Sequence, residues 1–557
     1  MKKLPLSLSL SLCLAATALQ AQPQMQTPEQ AQAARQVNET AFKFGRFLYY
    51  LSALYVDTVN VGQLAEQALT KVLSELDPHS SYTSAKDAKA VNEELRGDFD
   101  GIGIEFSMLH DTVVVVSPIA GGPSQKLGIA AGDRIVEVDG KNVAGVNIKN
   151  TDMMKLLRGP KGTIVSVQVL RRGVEQLLDF TITRDKIPIY SIDAKFWAKP
   201  GIAYIHLGRF AASSHSELLA ALKELGKTPE GLILDLRGNS GGLLDAAIYI
   251  ADELLAKDKL IVYTEGRAIP RTDAVATDTL TSFERGKLVI LIDEHSASSS
   301  EIVAGAIQDW DRGLIVGRRS FGKGLIQNQL ELPDGSLVRI TVARYHTPTG
   351  RVIQRPYDNG KIEKYYRDLQ KRYTSGEVYS LDSIKFPDSL MHYTLANRRT
   401  VYGGGGIMPD VFIPLDTSSY TPYHAKLVRM GILNRFALSY MDKNRKLLEQ
   451  QYATFPAFNS EFSMGDSLFS QLLAFAEEQK LPRSEDEIAK SKHDIAVQFK
   501  GFVAQDLFTS SAFYEVVYPV VDEGYKKAVD IMEHWDSYGK LLNAPADKAQ
   551  PKSKKKK

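Results

Sequence analysis

The chain has 557 residues, 44% hydrophobic and 24% charged, which is ordinary for a soluble globular protein and enough for roughly three or four domains. Lysine and arginine number 68 against 66 aspartates and glutamates, so a net charge of +2 supplies no global field for nucleic acid or membrane. A single cysteine, Cys13, excludes a disulfide framework.

Lys2 and Lys3 precede an apolar run from Leu4 to Ala18, and Ala16, Ala18 and Ala21 stand before Gln22 and Pro23. The run is too short to span a bilayer and reads as a secretory signal over 1–21, cleaved after Ala21. Ala16-Thr17-Ala18 is the alternative cleavage signal. Leu12 before Cys13 argues against a lipoprotein. The mature chain would hold no cysteine and no second long apolar run, which points to an exported, periplasmic protein.

Residues 22–95 read as a helical region. Phe44, Phe47, Leu48 and Leu51 share one helical face, and Leu64, Ala68, Val72 and Leu76 continue at helical spacing until Pro78. From 96 to 186, short β-rich runs (102–106, 112–116, 135–138, 163–170 and 178–183) alternate with Gly, Pro and Asp turns. Helices fit 124–127 and 151–157. In Gly101-Ile102-Gly103-Ile104, backbone N–H groups are placed to capture a carboxylate, and the strand that follows is open to an added peptide strand. With Ser117-Pro118-Ile119 and Leu127-Gly128-Ile129-Ala130-Ala131-Gly132-Asp133-Arg134-Ile135, this stretch resembles a PDZ domain. Arg158 reads as a helix-end surface residue; coupling the PDZ domain to the core is its alternative role.

An α/β pattern runs from 187 to 415, with strands at 202–206, 231–237, 260–263, 288–293 and 314–316 and helices at 213–225, 243–256 and 299–310. A hairpin over 325–345 turns at Pro333-Asp334-Gly335. Residues from about 355 to 400, rich in Tyr, Lys and Arg, read as an insertion, and 416–545 as a second helical region without evident chemistry. The tail 546–557 is basic and reads as a solvated end, with peripheral membrane contact as its alternative.

The chemistry gathers in the α/β region. Ser298 and Glu301 match a capping box at a helix start. A serine there also lies in positive potential, beside free N–H groups suited to an oxyanion. His295, three residues before it, is a poor base on geometric grounds, since near neighbours in sequence rarely meet that way. Lys323 lies between Gly322 and Gly324, and a buried lysine can lose its proton near neutral pH and act as a base. The lysine loop is not a nucleotide-binding loop, because Gly324 stands where such loops need Ser or Thr. Gln327, four residues on, is placed to hold the lysine. Gly238 to Gly242 form a second glycine loop, from a strand to a helix, where N–H groups converge on an anion.

Together these residues resemble the C-terminal processing (tail-specific) serine proteases, which carry a PDZ domain and a Ser/Lys dyad. The matches are Leu76-Asp77-Pro78-His79-Ser80, Asp235-Leu236-Arg237 with Asn239-Ser240-Gly241-Gly242, and the run from Ser296 to Ala306. Gln308-Asp309, Phe321-Gly322-Lys323-Gly324, Gln327, Gly405-Gly406-Ile407 and Pro409-Asp410-Val411 complete the set. The resemblance, over about 40–415, implies a PDZ domain and a crotonase/Clp-like α/β protease core; with the N-terminal helices and the additional C-terminal helical region, the chain is a multidomain α+β protein. It implies Ser298 as nucleophile, Lys323 as its base 25 residues on and Gln327 as a supporting amide. The oxyanion hole would be the Ser299 N–H with one from Gly241 or Gly242, and Asp309 would be structural. This chain departs from the family pattern in having Ser299 for alanine, Gly238 for a common Asn or Asp, and the insertion.

The expected function is an exported serine endopeptidase that takes polypeptides with free, apolar C-termini at Gly101, Ile102, Gly103 and Ile104. It needs no metal or cofactor, since the 10 histidines are scattered and no H-E-x-x-H occurs, and nucleic acid is not a partner. Tethering of the two helical regions would give a homo-oligomer. The rivals are a PDZ-based periplasmic chaperone or scaffold with an inactive core, and a crotonase-like acyl-CoA enzyme, which explains neither the PDZ domain nor the signal.

Overall fold

The computed structural model describes residues 28–109, 111–226, 229–278 and 282–543; the signal over 1–21, Cys13 and the basic tail from 546 lie outside them. The chain divides into a unit ending at Lys71 and one beginning at Val72. The first holds the helix Pro28–Leu54 and most of Val61–Ser74. On Pro28–Leu54 the apolar stripe is largely exposed, with Phe47 at 53% and Leu54 at 75%.

In the second unit, the strand Ser81–Thr83 interrupts the stretch read as helical, and the helix Ala85–Arg96 closes it before the PDZ region. Five strands pair antiparallel in the order Ile104–Leu109, Thr112–Pro118, Arg134–Val138, Ile164–Leu170 and Leu178–Thr183, with Ile104–Leu109 at an edge. In Ile164–Leu170, Val165, Val167 and Val169 alternate into the core and meet Met153 and Leu157 of the helix Asn150–Leu157. The expected strand from Ile102 begins two residues later. Gly101 instead ends a separate strand, Asp98–Gly101, which pairs with Asp185–Pro188 where the chain leaves the PDZ region.

The α/β region is built on a six-stranded sheet in the order Ile192–Lys199, Ile202–Leu207, Gly231–Asp235, Lys287–Ile292, Leu314–Gly317 and Val411–Phe412. The first pair is antiparallel and the rest are parallel. Its central strands are apolar along most of their length, polar residues such as Lys287 and Asp235 standing at their ends, because both faces are covered. Leu232, Leu234, Leu288, Ile290 and Ile292 pack against the helices Leu244–Leu254 and Ser299–Asp309. Ile233, Val289, Leu291 and Val316 face the other way, onto Tyr525, Ala528, Val529 and Met532. Those four belong to the helix Glu523–Glu533, so the C-terminal helical region completes the core.

Leu260–Glu265, read from the sequence as part of the α/β alternation, lies in a different sheet. There Leu337–His346 pairs with Ser81–Thr83, Leu325–Glu331 and Leu260–Glu265. That sheet brings the segment around residue 80 beside the hairpin.

Candidate active site

The strand Lys287–Ile292 ends in a tight turn before the helix Ser299–Asp309, and Ser298 sits between them at φ 54°, ψ −111°. A non-glycine residue at positive φ is strained, and such strain persists only where the surroundings enforce it. Here they do. Asp293 Oδ1 accepts from the N–H groups of Gly238, His295 and Ser296, and Ser296 Oγ donates to the Leu236 carbonyl at 2.8 Å. The Ala297 N–H reaches the Asn239 carbonyl at 3.0 Å, tying this turn to the glycine loop. His295 is exposed, and its backbone N–H is what joins the turn.

Glu301 organises the site. Fully buried, it accepts from the Ser298 N–H at 2.9 Å and the Lys323 N–H at 2.8 Å on Oε2. Its Oε1 accepts from the Gly322 N–H at 2.7 Å and from Ser320 Oγ. Burial raises its pKa against the pull of these donors. The Tyr345 hydroxyl lies within hydrogen-bond reach of both the Ser298 carbonyl, at 3.2 Å, and the Lys323 carbonyl. Burial holds the Tyr345 pKa well above its ordinary value, so the hydroxyl keeps its proton. The two residues expected to react are thus tethered at their N–H groups by one carboxylate, and the single Tyr345 hydroxyl lies between their carbonyls, donating to one at a time.

The Lys323 pKa is lowered, first by burial and then by Arg339, while Glu301 and Asp77 oppose the shift. Among the described residues no hydrogen bond or ion pair engages its Nζ. Gln327 does not take the supporting position expected of it: its Nε2 donates to Thr341 Oγ1, 3.2 Å away, across the hairpin pairing. Thr341 Oγ1 in turn donates to Asp77 Oδ1 at 3.0 Å. Asp77 also accepts from the N–H groups of His79 and Ser80 and from Ser80 Oγ. The Leu76-to-Ser80 motif therefore forms one wall of the lysine site. Burial and the Lys323 charge push the His79 pKa down to about 4, while Asp77 pulls it back. Sequence reasoning read this motif as a helix stop and as a family match but gave it no place at the lysine, because its partners lie some 260 residues away.

In the glycine loop the two candidates separate. The Gly241 N–H is committed to Asn239 Oδ1 at 2.8 Å, and the Gly241 carbonyl accepts from Phe210. The next N–H, that of Gly242, lies on the same trans peptide and points opposite that carbonyl. A Cβ on Gly241 would lie 2.8 Å from the Ser298 Cβ and 3.0 Å from the Ser299 N, so the loop backbone lies against the serine turn. Ser299 Oγ donates to the Gly242 carbonyl at 3.1 Å, a tie that the alanine expected there would lack. Gly238 is at φ 71°, in the left-handed region that glycine enters freely and that Asn and Asp tolerate best among the other residues.

Asp309 is remote from this chemistry and pairs with Arg351 at 2.7 Å, both fully buried. In the PDZ region, Gly103 adopts φ 75°, and the Ile102 carbonyl accepts from Ser124 Oγ at 2.6 Å. Arg158 pairs with Glu93 at 3.1 Å and stacks over Phe99, joining the PDZ region to the helix Ala85–Arg96.

Family models match peptidase family S41 over residues 201–362, a PDZ domain over 101–182 and a family of unknown function over 423–509. A carboxy-terminal-processing protease from Bartonella bacilliformis is 40% identical over 320 residues, covering 56% of this chain and 72% of that protein. Carboxy-terminal processing protease CtpB of Bacillus subtilis is 32% identical over 332 residues, covering 59% and 68%. Among solved structures, the photosystem II D1 C-terminal processing protease is 31% identical at a TM-score of 0.31, covering 56% of this chain and 89% of that one. The chain belongs to the carboxy-terminal processing proteases, serine peptidases of family S41 that carry a PDZ domain.

Proposed function

We propose that Ser298 and Lys323 form the catalytic dyad of an exported C-terminal processing protease. Neutral Lys323 takes the proton of Ser298 Oγ as that oxygen attacks a peptide carbonyl. The proton then passes to the departing amine, leaving an acyl-enzyme that water hydrolyses to release the acid and regenerate Ser298. The Ser299 and Gly242 N–H groups take the oxyanion, Gly242 being preferred because the Gly241 N–H already serves Asn239. Gln327 acts at one remove, through Thr341 and Asp77.

The observation that carries this reading is the double tether of Glu301 and Tyr345 on Ser298 and Lys323. The polypeptide substrate presents a free, apolar C-terminus to Gly101, Ile102, Gly103 and Ile104 and adds as a strand to the edge Ile104–Leu109. The signal-like residues 1–21 support export to the periplasm. The exposed apolar stripe of Pro28–Leu54 supports a homo-oligomer.

Incubating wild type, Ser298→Ala and Lys323→Ala with an unfolded protein tests the dyad. Wild type cleaves and both variants lose at least about 10³-fold in kcat. Cleavage by either variant at the wild-type rate removes its residue from the dyad.

A further inference from the structure

The insertion at about 355–400 carries a helix, Ile362–Thr374, whose residue Arg372 is buried at 2% exposure. Its Nη1 donates to the carbonyls of Arg319 at 3.1 Å and Ser320 at 2.7 Å. Its Nη2 donates to those of Phe321 at 3.2 Å and Gly405 at 3.3 Å. Three consecutive carbonyls leading to Gly322-Lys323 thus converge on one guanidinium. Glu377 stays 3.5 Å from Nε and also binds Arg319.

The opposite side of this loop, which has no regular secondary structure, belongs to Glu301. Its carboxylate takes Ser320 Oγ and the N–H groups of Gly322 and Lys323. The loop is gripped between an anion that collects its donors and a cation that collects its acceptors. A planar fork of N–H donors suits several carbonyls at once, which an ammonium would not.

A second thread runs from the same insertion. Gly324 N–H donates to Gln354 Oε1 at 2.7 Å, and Gln354 Nε2 reaches the Tyr365 hydroxyl at 3.3 Å. That hydroxyl lies 3.2 Å from His79 Nε2, so the flank of Lys323 and the Asp77–Ser80 wall meet on the insertion helix. Burial brings the Arg372 guanidinium down to about 9, still protonated at neutral pH.

We propose that the insertion is a positioning element for the general base, in which Arg372 fixes the carbonyl side of the loop from Arg319 to Lys323 and so sets where the Lys323 amine meets Ser298. The proposal rests on the dyad reading of Lys323. Arg372 is a positioning residue, not a catalytic one, and Tyr365 is its accessory. The titratable and charged groups that face Lys323 are Asp77 and the neutral His79 from the preceding segment, Glu301 from the nucleophile helix and Arg339 from the hairpin.

The test uses the full-length enzyme with Arg372→Met, Arg372→Lys and Tyr365→Phe, alongside Lys323→Ala. Steady-state kinetics on an unfolded protein, the pH profile of kcat/KM, near-ultraviolet circular dichroism and peptide binding by the PDZ domain are measured for each. Arg372→Met is expected to lose about 50-fold in kcat with KM within about threefold, since small misplacements of a reacting group cost that much. Its pH limb moves to higher pH as the lysine becomes better solvated, while circular dichroism and peptide binding stay at wild-type values. Arg372→Lys restores only part of kcat, and Tyr365→Phe loses about fivefold with the same limb shift.

Arg372 and Tyr365 variants with wild-type kcat and limb would overturn the proposal. So would kcat losses that track a loss of near-ultraviolet signal with no shift of the limb. If Arg372→Met does not fold, Tyr365→Phe decides, because its ring is kept. Wild-type activity in Lys323→Ala would instead overturn the dyad reading on which the proposal stands.

Discussion

Replacing Glu301 by glutamine tests the reasoning about the site most directly. The carboxylate accepts from four donors, the N–H groups of Ser298, Gly322 and Lys323 and the hydroxyl of Ser320. An amide keeps one acceptor oxygen and points an NH2 group at the other pair. If the NH2 faces Ser320, that hydroxyl can turn to accept, and only the Gly322 N–H is stranded. If it faces Ser298 and Lys323, two backbone donors lose their partner.

Each buried donor left unpaired costs about 1–3 kcal/mol. The neutral amide recovers part of this, because burial disfavours the ionised form of Glu301. The net loss of stability is about 1–3 kcal/mol, read as a fall of about 3–10 °C in the unfolding midpoint of the protease core. Activity is the more sensitive readout. Because the same carboxylate sets the backbone of both Ser298 and Lys323, kcat falls about 100-fold, or about 2.7 kcal/mol of transition-state stabilisation. Initial rates on an unfolded protein and thermal unfolding of Glu301→Gln measure the two effects. A variant that folds and keeps kcat within threefold of wild type refutes the idea that Glu301 aligns the dyad.

The pH dependence follows from the lysine. Its pKa lies below its ordinary value and the neutral form is the base, so kcat/KM rises with pH through the Lys323 titration; His79, at about 4, has already lost its proton. Arg339→Gln removes a charge that depresses the lysine pKa, so the limb moves to higher pH; an unmoved limb assigns it to another group. Gly242→Ala places a Cβ 2.0 Å from the Phe210 carbonyl oxygen and abolishes activity. Gly238→Ala meets open space and costs only about 1–2 kcal/mol of left-handed strain, so comparable losses of activity in the two variants contradict this account of the loop. Intact-mass analysis of secreted protein is expected to find a mature chain beginning at Gln22, and a chain that retains Met1 opposes export.

Much of the local architecture was legible because it depends on short-range chemistry. The run from Ser298 to Trp310 carries an N-terminal Ser/Glu pair and apolar helical spacing, and it forms the buried helix Ser299–Asp309. The central strands read as continuous apolar runs because both faces are covered. The edge strand Ile192–Lys199 escaped notice because Asp193, Lys195 and Lys199 interrupt it, and its sign was the alternation of Ala194 and Phe196 into the core. The helix Ala85–Arg96 carries no large apolar residue before Val91, and its clearest start signal was Ser84 ahead of Asp87, whose side chains bond at 2.7 Å.

By itself the sequence determined the chemistry on offer: a serine at a helix start, a glycine-flanked lysine 25 residues on, a glycine loop and a PDZ-like domain. Each follows from residue type and spacing along a short stretch. Tertiary structure alone decided which groups surround them. It put Asp77 beside Thr341, 264 residues apart, and turned Gln327 toward that pair. It made Glu301 a four-way acceptor as well as a partner in the capping box, laid the helix Glu523–Glu533 over the sheet, and set Arg372 against the lysine loop. A buried polar atom must find a partner wherever the chain brings one, and sequence spacing carries no record of which distant segment that will be.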